Sequence, residues 1–175
     1  MGGGRFGLAV AFWLVKEEPR HYSWTDLERE GGTEWDGVHN ALALRNLKSM
    51  GAGDRAIFYH SGDERSCIGI LEVVGSPHPD PRDARGSWSV EVRPVRPLRR
   101  PIPLAEVKAD PALLGFDLIR LGRLSVVAVS DDQWARLLAH EDATPVPARP
   151  ATEARAGRAR RSARRRRPRA ARRRR

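Results

Sequence analysis

The sequence contains few residues that could build a covalent or metal-based framework. Cys67 is the single cysteine among 175 residues, which excludes a disulfide framework and a cysteine-rich zinc site. The five histidines show neither HxH nor HxxxH spacing, so no metal site is predicted. These absences predict a protein of a reducing, intracellular setting that holds no metal and no cofactor.

Long hydrophobic runs are also lacking. The N-terminal apolar stretch, FGLAVAFWLV, has ten residues and leads directly into the charged KEEP. A membrane-spanning helix needs about 20 apolar residues, and a signal peptide needs a small-residue cleavage site that this stretch does not offer. The sequence therefore predicts a soluble, cytoplasmic protein without a membrane partner.

Catalytic signatures are missing as well. The chain has no GxxxxGK[ST] phosphate-binding loop, no GxGxxG after a strand and no GxSxG nucleophile turn. Cys67 lies inside the apolar segment SCIGILEV, where a small buried residue is a better interpretation than a nucleophile. The sequence thus gives little support to an enzymatic function.

Positive charge is abundant, but it is confined to the C-terminus. Residues 149–175 hold 14 arginines and one acid, for a net charge of about +13. Because the whole chain has 32 basic and 22 acidic residues, residues 1–148 keep 18 basic and 21 acidic ones, or about −3. The folded part therefore has no surface-wide basic character. The strong bias toward arginine over lysine is typical of a GC-rich bacterial coding sequence.

The arginine-rich C-terminal segment is predicted to be disordered in isolation. It has no large apolar residue after Val146, so burial cannot offset the entropy of folding. The proline-rich DATPVPARP marks a boundary and predicts a folded domain over 1–142 and a tail over 143–175. The arginine runs of the tail predict phosphate contacts at Arg164, Arg165, Arg166, Arg167, Arg172, Arg173, Arg174 and Arg175.

Before the tail, the pattern alternates strands and short helices. Strands are predicted at AFWLV, RAIFYH, CIGILEVV, WSVEVRPV and LSVVAV. Helices are predicted at YSWTDLEREGG, which Ser23 can cap, and at NALALRNLKSMG, between Asn40 and Gly51. The helix SDDQWARLLAHE begins with a capping box of Ser130 and Gln133, and IPLAEVKADPALLG predicts two helical turns interrupted by a proline. Strands with small helices between them and no βαβ rhythm predict a compact α+β barrel.

One strand has a clear two-faced pattern. SWSVEVRP alternates apolar and polar residues, which predicts a half-exposed antiparallel strand. The apolar face is expected to be buried and holds Trp88, Val90 and Val92. The opposite face is expected to be exposed and holds Ser87, Ser89, Glu91 and Arg93. Trp88 is thereby assigned to the core, together with Trp24 and Trp134.

Aromatic and polar residues also stand at strand ends and in loops. Trp13 lies just before KEEP, and Trp35 opens the loop WDGVHN. Strand ends on one rim of a barrel converge on its mouth, where ligand pockets form. An indole, an amide and a hydroxyl can together stack a nucleobase and read its edge. Periodicity alone leaves pocket wall and core equally open for Trp35.

Seven blocks of the sequence resemble, in order, those of the EVE domain family. They are FWLVKEEP..YSWTDL, WDGVHNALALRNLKSM..GD, FYHSGDE, IGILEVV, PDP, VRPVRPL.RPIPLAEVKADP and RLSVVAVSDDQW, and they span roughly Phe12 to His140. The resemblance implies a PUA-like fold, a bent β-barrel with short peripheral helices that is related to YTH and ASCH domains. It also implies recognition of a modified base, such as a methylated cytosine or adenine derivative, in DNA or RNA.

The same resemblance implies the residues of a base-binding pocket. They are Trp13, Lys16, Glu18, Pro19, Trp35, Gly37, Val38, Asn40, Tyr59, His60, Ser61, Arg123, Leu124 and Ser125. Trp35 would supply a flat face, Gly37 would let the backbone approach the base, and Asn40 would cap its helix and face the pocket. Two departures concern the pocket: Glu17 replaces a frequent serine, and HNALA replaces a frequent RNYQA. Which modified base fits is therefore left open.

Two other functions are compatible with these residues. An ASCH-like hydrolase acting on a modified nucleoside would use Lys16 and Glu18 as its acid–base pair, although no nucleophile or metal set accompanies them. An RNA-processing accessory would instead bind mainly through the tail. The favoured prediction is a monomeric, non-enzymatic reader of a modified base, associated with the nucleoid or with RNA.

Overall fold

A mixed sheet of seven strands organises residues 10–143, the part of the chain that the computed structural model describes. Residues 144–175, with the predicted tail and its phosphate-binding arginines, lie outside the described residues, as do residues 1–9. The strands are β1 (Phe12–Glu17), β2 (Thr33–Trp35), β3 (Arg55–His60), β4 (Ser66–Val73), β5 (His78–Pro79), β6 (Trp88–Pro103) and β7 (Val126–Val129). The helices are α1 (Trp24–Glu30), α2 (Ala41–Ser49), α3 (Leu104–Ala109), α4 (Asp117–Arg120) and α5 (Asp131–Asp142), with a 3-10 turn at Pro111–Leu113.

The strand order brings three strand ends to one rim. The order is β2-β6-β4-β3-β1-β7, with β5 beside β6, and the sheet curls into a half-barrel. β1 and β3 are parallel, so Lys16 lies opposite Tyr59 and both strands end at the same edge. β7 runs antiparallel to β1 and begins at that edge. The predicted α+β barrel is confirmed in this curled form.

Aromatic rings fill the barrel interior. Phe58 of β3 is 0% exposed and makes edge-on contacts with Trp24 at 5.7 Å and with Trp35 at 5.5 Å between ring centroids. Trp24 lies directly on the backbone of Gly69 in β4, where a Cβ atom would come within 2.6 Å of the indole. On the outer side of the sheet, α5 covers β1 by stacking Trp134 on Phe12 at 4.3 Å.

The predicted helix starts are confirmed. Ser23 and Asp26 form a capping box at the start of α1, and Ser130 and Gln133 form one at the start of α5. Asn40 caps α2, with its side chain accepting from two backbone N–H groups. The end of α2 differs from the prediction, because the C-cap is Met50, in extended backbone, and Gly51 follows it.

The predicted faces of β6 are corrected near its start. Ser87 and Ser89 were expected on the exposed face but are 2% and 1% exposed. Each is buried against a neighbouring segment that the sequence pattern does not reveal: Ser87 Oγ donates to Val38 O at 2.9 Å, and β5 pairs with Ser89. Trp88 is only half-buried, and Lys48 Nζ stands 4.4 Å from the centroid of its ring.

The rest of β6 is an irregular strand rich in arginine and proline. Beyond Val92 it carries prolines at 94, 97, 101 and 103 and arginines at 93, 96, 99 and 100. Arg96 makes a bidentate contact with the buried carboxylate of Glu141 in α5, at 2.5 and 2.9 Å. Arg100 binds Glu106 at 2.8 Å and donates to the carbonyl of His140. These contacts fasten α5 to the sheet.

A buried carboxylate ties the 3-10 turn to α5. Asp110 accepts hydrogen bonds from Arg136 Nε at 2.5 Å and from the His140 ring, and its oxygens also accept from Ala112 N. The hydrogen bond from Arg136 is the main reason that the pKa of Asp110 falls to about 2, from an ordinary 3.8. The carboxylate is therefore more acidic in the folded protein than in the unfolded chain.

This linkage predicts a loss of stability in acid. Asp110 stabilises the fold at any pH above its unfolded pKa, and that contribution disappears as the pH falls from about 4 to about 2. Asp110→Asn should lower the free energy of unfolding at pH 7 and flatten its decline below pH 4. Urea denaturation at pH 7, 4 and 2.5 measures both effects. Asp117→Asn, which alters a surface pair with Arg120, is the matched control; an equal effect of the two variants would contradict the assignment.

Candidate nucleic-acid interface

Backbone pairing at the rim brings three segments of the chain together. Lys16 N donates to Ser125 O at 2.9 Å, which joins the end of β1 to the entry of β7. Ser61 N donates to Glu17 O at 2.8 Å, which joins the exit of β3 to β1. Residues distant in the sequence are thus adjacent because three strands meet there.

A cleft of about 320 Å³ opens at this junction. It is lined by Lys16, Glu17, Glu18, His21, Ser61, Gly122, Arg123 and Ser125. Lys16 forms its floor: Nζ donates to Gly122 O at 3.1 Å and stands 5.9 Å from the ring centroid of Tyr59. Burial lowers the pKa of Lys16 and raises that of Tyr59 to about 12, so Tyr59 is a neutral phenol.

A second cleft, of about 330 Å³, continues from the first. It is lined by Asn40, Leu42, Leu121, Gly122, Arg123 and Leu124, so the two clefts share Gly122 and Arg123. Asn40 Oδ1 is occupied by the N–H groups of Leu42 and Ala43, both at 3.0 Å, whereas its Nδ2 has no acceptor among residues 10–143. We call the two joined clefts the rim groove.

Half of the predicted pocket residues line the rim groove. They are Lys16, Glu18, Asn40, Ser61, Arg123, Leu124 and Ser125. Pro19 lines a neighbouring cleft together with Glu18. The sequence reasoning did not anticipate His21, Leu42, Leu121 and Gly122 as lining residues.

The two indoles expected in the pocket lie in the core instead. Trp13 is 7% exposed, and its Nε1 donates to Asp54 Oδ2 at 2.9 Å, at the opposite end of β1 from the rim groove. Trp35 is 6% exposed and belongs to β2, where it pairs with Val90 of β6. This pairing directs the indole into the barrel interior, onto Phe58. The structure therefore contradicts the expectation that Trp35 presents an open face from a loop.

His60 and Tyr59 are buried beneath the rim and do not line the groove. His60 Nε2 accepts the N–H of Trp24 at 3.0 Å, and Nδ1 lies 2.5 Å from Glu64 Oε2. Both ring nitrogens are thus engaged, with the proton on Nδ1, and His60 joins the start of α1 to the β3–β4 turn. Tyr59 is 3% exposed beneath Lys16. Neither ring reaches the rim groove, so both position residues that do.

The turn before α2 holds the two remaining predicted residues. Gly37 has φ +70°, the left-handed region that glycine adopts without strain, and it is exposed. Val38 is buried, and its carbonyl accepts the hydroxyl of Ser87. Together they set the direction of the chain as it reaches Asn40.

The rim groove has no assembled catalytic set. Lys16 and Glu18 form no ion pair with each other, because Lys16 engages Gly122 O and the Glu18 side chain packs over Gly62. Within residues 10–143, no group of three His, Cys, Asp or Glu side chains is placed to hold a metal ion. Burial raises the pKa of Cys67 to about 12, so its thiol is not a nucleophile. No helix in the same range is long and apolar enough to cross a bilayer.

Comparison with known proteins identifies the family. The family model described as EVE domain matches residues 11–140. The chain belongs to the EVE domain family. This EVE domain is similar to chicken (Gallus gallus) thymocyte nuclear protein 1, at 30% identity over 82% of this chain and 74% of the relative. The human protein is also 30% identical, over 76% of this chain and 75% of its own length.

Solved structures show the same fold. An NMR structure of a Rhodopseudomonas palustris protein is 36% identical, with a TM-score of 0.72 over 81% of this EVE domain and 99% of that chain. Human THYN1 in complex with DNA containing 5-methylcytosine is 28% identical, with a TM-score of 0.70 over 77% and 99% of the two chains. A Zymomonas mobilis ASCH protein, at 11% identity and a TM-score of 0.51, shares the fold alone. The EVE resemblance and its PUA-like architecture are thus confirmed.

Proposed function

We propose that this EVE domain binds a modified base in DNA or RNA, and that the base enters the rim groove. The observation that carries the proposal is the chemistry of the groove itself. Apolar side chains of Leu42, Leu121 and Leu124 lie beside hydrogen-bonding groups from four segments. The complex of human THYN1 with DNA containing 5-methylcytosine supports a nucleic-acid ligand for a relative with the same fold.

The groove offers a way to hold a base without an indole. Arg123 is exposed, lines both clefts and forms no ion pair among the described residues, so its planar guanidinium is free to stack on a base. The leucines provide apolar contact for a methyl group. Guanidinium stacking and apolar contact together offset part of the few kcal/mol needed to expose the base.

Hydrogen-bonding groups at the groove favour a base with an exocyclic amino group. The Nδ2 of Asn40 is a free donor, and the carboxylates of Glu17 and Glu18 are acceptors at the mouth. Carboxylates accept from the exocyclic amino groups of cytosine and adenine, and the Nδ2 donor can meet a ring nitrogen beside that amino group. Cytosine and adenine derivatives therefore match this edge better than thymine derivatives. We further propose that the protein acts as a monomer, in the cytoplasm, at the nucleoid or on RNA.

The direct test is a binding screen with the full chain. Oligonucleotides that differ by a single 5-methylcytosine, N4-methylcytosine or N6-methyladenine, as DNA and as RNA, are titrated at physiological ionic strength. Tighter binding to one modified strand than to its unmodified twin supports the proposal, and equal binding to all of them overturns it. Mass spectrometry of the recovered strands separates a reader from a hydrolase, because a reader leaves the modified base unchanged.

Asn40→Ser should lose base discrimination without losing stability. A serine hydroxyl caps a helix about as well as an asparagine oxygen, so α2 keeps its N-cap. The substitution removes only the free Nδ2 donor, which should bring the affinities for modified and unmodified strands to within about threefold of each other. Asn40→Ala is the matched control for the cap, at a cost of about 1 kcal/mol. If Asn40→Ser still prefers the modified strand as strongly as wild type does, the amide of Asn40 does not contact the base.

A further inference from the structure

We propose that the rim groove continues into a single-stranded track, with phosphate contacts from Arg45 on one side of the base and from Arg65 and Lys108 on the other. This inference rests on the proposed function and adds to it a second binding surface, for the nucleotides beside the recognised base. It also assigns phosphate-binding residues to the barrel, although the sequence places net positive charge only in the tail.

The rim groove is continuous with two further clefts. Glu18 lines the rim groove and also a cleft of about 340 Å³ with Pro19, Arg20, Asp63 and Glu64. Asp63 and Glu64 also line another cleft of about 340 Å³, together with Arg65, Pro103, Leu104, Ala105 and Lys108. Each cleft thus shares lining residues with the next. The result is one concave furrow that runs from the start of α2, past the ends of β1 and β3, to α3.

The arginines without a carboxylate partner mark this furrow. Residues 10–143 contain 14 arginines, and 11 of them form ion pairs. Within these residues Arg45, Arg65 and Arg123 do not, and all three are exposed. A guanidinium in an ion pair must exchange its partner for phosphate, whereas a free one binds phosphate without giving up a carboxylate. The three free arginines are therefore the best phosphate ligands of the barrel.

Their positions are spread along the furrow. Arg123 lines the rim groove, and Arg65 lines the far cleft, with the exposed Lys108 beside it. Arg45 stands one turn beyond Leu42 on α2. Because residues three apart on a helix lie on the same face, Arg45 and Leu42 face the same side of α2. Cations at the two ends of such a groove can contact the backbone of a single strand on either side of the bound base.

One of the acids between the two ends of the furrow is paired with a cation, because Asp63 lies 3.2 Å from Arg20. Glu64 accepts a hydrogen bond from the His60 ring at 2.5 Å, which satisfies its oxygen without adding a positive charge. Arg65 follows these acids in the β3–β4 turn, and its carbonyl accepts from Leu104 N at 2.8 Å, so the backbone is fixed while the guanidinium is free. The middle of the track thus keeps acidic side chains while its two ends are cationic, so phosphate contacts are expected at the ends only.

The test measures, in the full chain, how binding changes when a cationic side chain without an ion pair is removed and when one with an ion pair is removed. Fluorescence anisotropy gives the affinity for single strands that carry one modified base and zero to four flanking nucleotides on either side. Arg65→Ala combined with Lys108→Ala should weaken binding to modified and unmodified strands alike. It should also abolish the benefit of flanking nucleotides on one side, as Arg45→Ala should on the other. Removing one phosphate-binding side chain should reduce the log–log salt slope by about 0.7, so the double variant should have a slope smaller by about 1.4.

Two exposed arginines that form ion pairs are matched controls. Arg29 pairs with Asp26 on α1, and Arg120 pairs with Asp117 on α4. Arg29→Ala and Arg120→Ala should leave the slope and the flank dependence unchanged. If they reduce affinity as much as the double variant does, or if the double variant binds like wild type, the track is wrong. If wild type shows no preference for any modified strand while Arg65 and Lys108 still set the slope, the proposed base recognition fails and the track stands.

Discussion

Trp35→Ala should lower the free energy of unfolding by about 3–5 kcal/mol, as expected for a large aromatic residue removed from a packed core. The indole is 6% exposed and packs edge-on against Phe58, at 5.5 Å and 89°. β2 is only three residues long and is held by β6, so the cavity cannot close without losing that pairing. Loss of nucleic-acid binding in this variant would follow from unfolding rather than from a missing stacking surface.

Urea denaturation of Trp35→Ala and Trp88→Ala separates core from surface. Trp88 is half-buried under Lys48, so its removal should cost about 1–2 kcal/mol, combining partial burial with a cation–π contact. A Trp35→Ala protein that melts like wild type and loses only base discrimination would return Trp35 to the pocket wall. The two variants delete the same side chain, so the difference between them reflects chiefly the deeper burial of Trp35.

Deleting residues 149–175 should flatten the salt dependence of binding more than any substitution in the barrel. These residues hold 14 arginines and one acid. Each arginine that neutralises a phosphate adds about −0.7 to the log–log slope on single strands and about −0.9 on duplex DNA. If six of them reach phosphate, their removal changes the slope by about 4 to 5. Affinity should fall for all sequences alike, because phosphate contacts carry no sequence information.

The truncated protein should keep its preference for the modified base and a residual slope of about −2 to −3, from Arg45, Arg65 and Lys108 of the barrel. The measurement is a salt titration of both proteins near physiological ionic strength, on modified and unmodified strands. Full affinity of the truncated protein at that salt would make the tail dispensable. Loss of the base preference would show that the tail contributes to the base site. A variant with the eight arginines of 164–167 and 172–175 changed to glutamine keeps the length and is the matched control.

Local sequence signals predicted most helices and the long strands, because capping and periodicity act over a few residues. The capping pairs at Ser23 and Ser130 are examples, and the structure confirms both. The short elements β2, β5 and α4 were not predicted, since each has four residues or fewer and depends on a partner elsewhere in the chain. β2 and β5 exist because β6 offers an edge to pair with.

The candidate site was half predictable for a related reason. The family resemblance named Lys16, Ser61 and Ser125 as pocket residues, and the structure places all three at one rim. The direction of each side chain depends on the register and on which strand pairs with which. These pairings bury Trp13 and Trp35 in the core. The ion pairs that distinguish bound from free arginines depend on tertiary contacts and leave no local pattern at all.

The composition of β6 affects how readily the folded protein associates with other copies of itself. From Arg93 to Pro103 the strand pairs with β4 on one edge, and no described strand covers its other edge. An open edge is a template on which another chain can add a strand and begin an aggregate. Four prolines remove backbone donors from this stretch, and Glu141 of α5 already accepts the N–H of Arg99 at 2.6 Å. A second copy would meet missing or occupied backbone donors, so this edge resists self-association at high protein concentration.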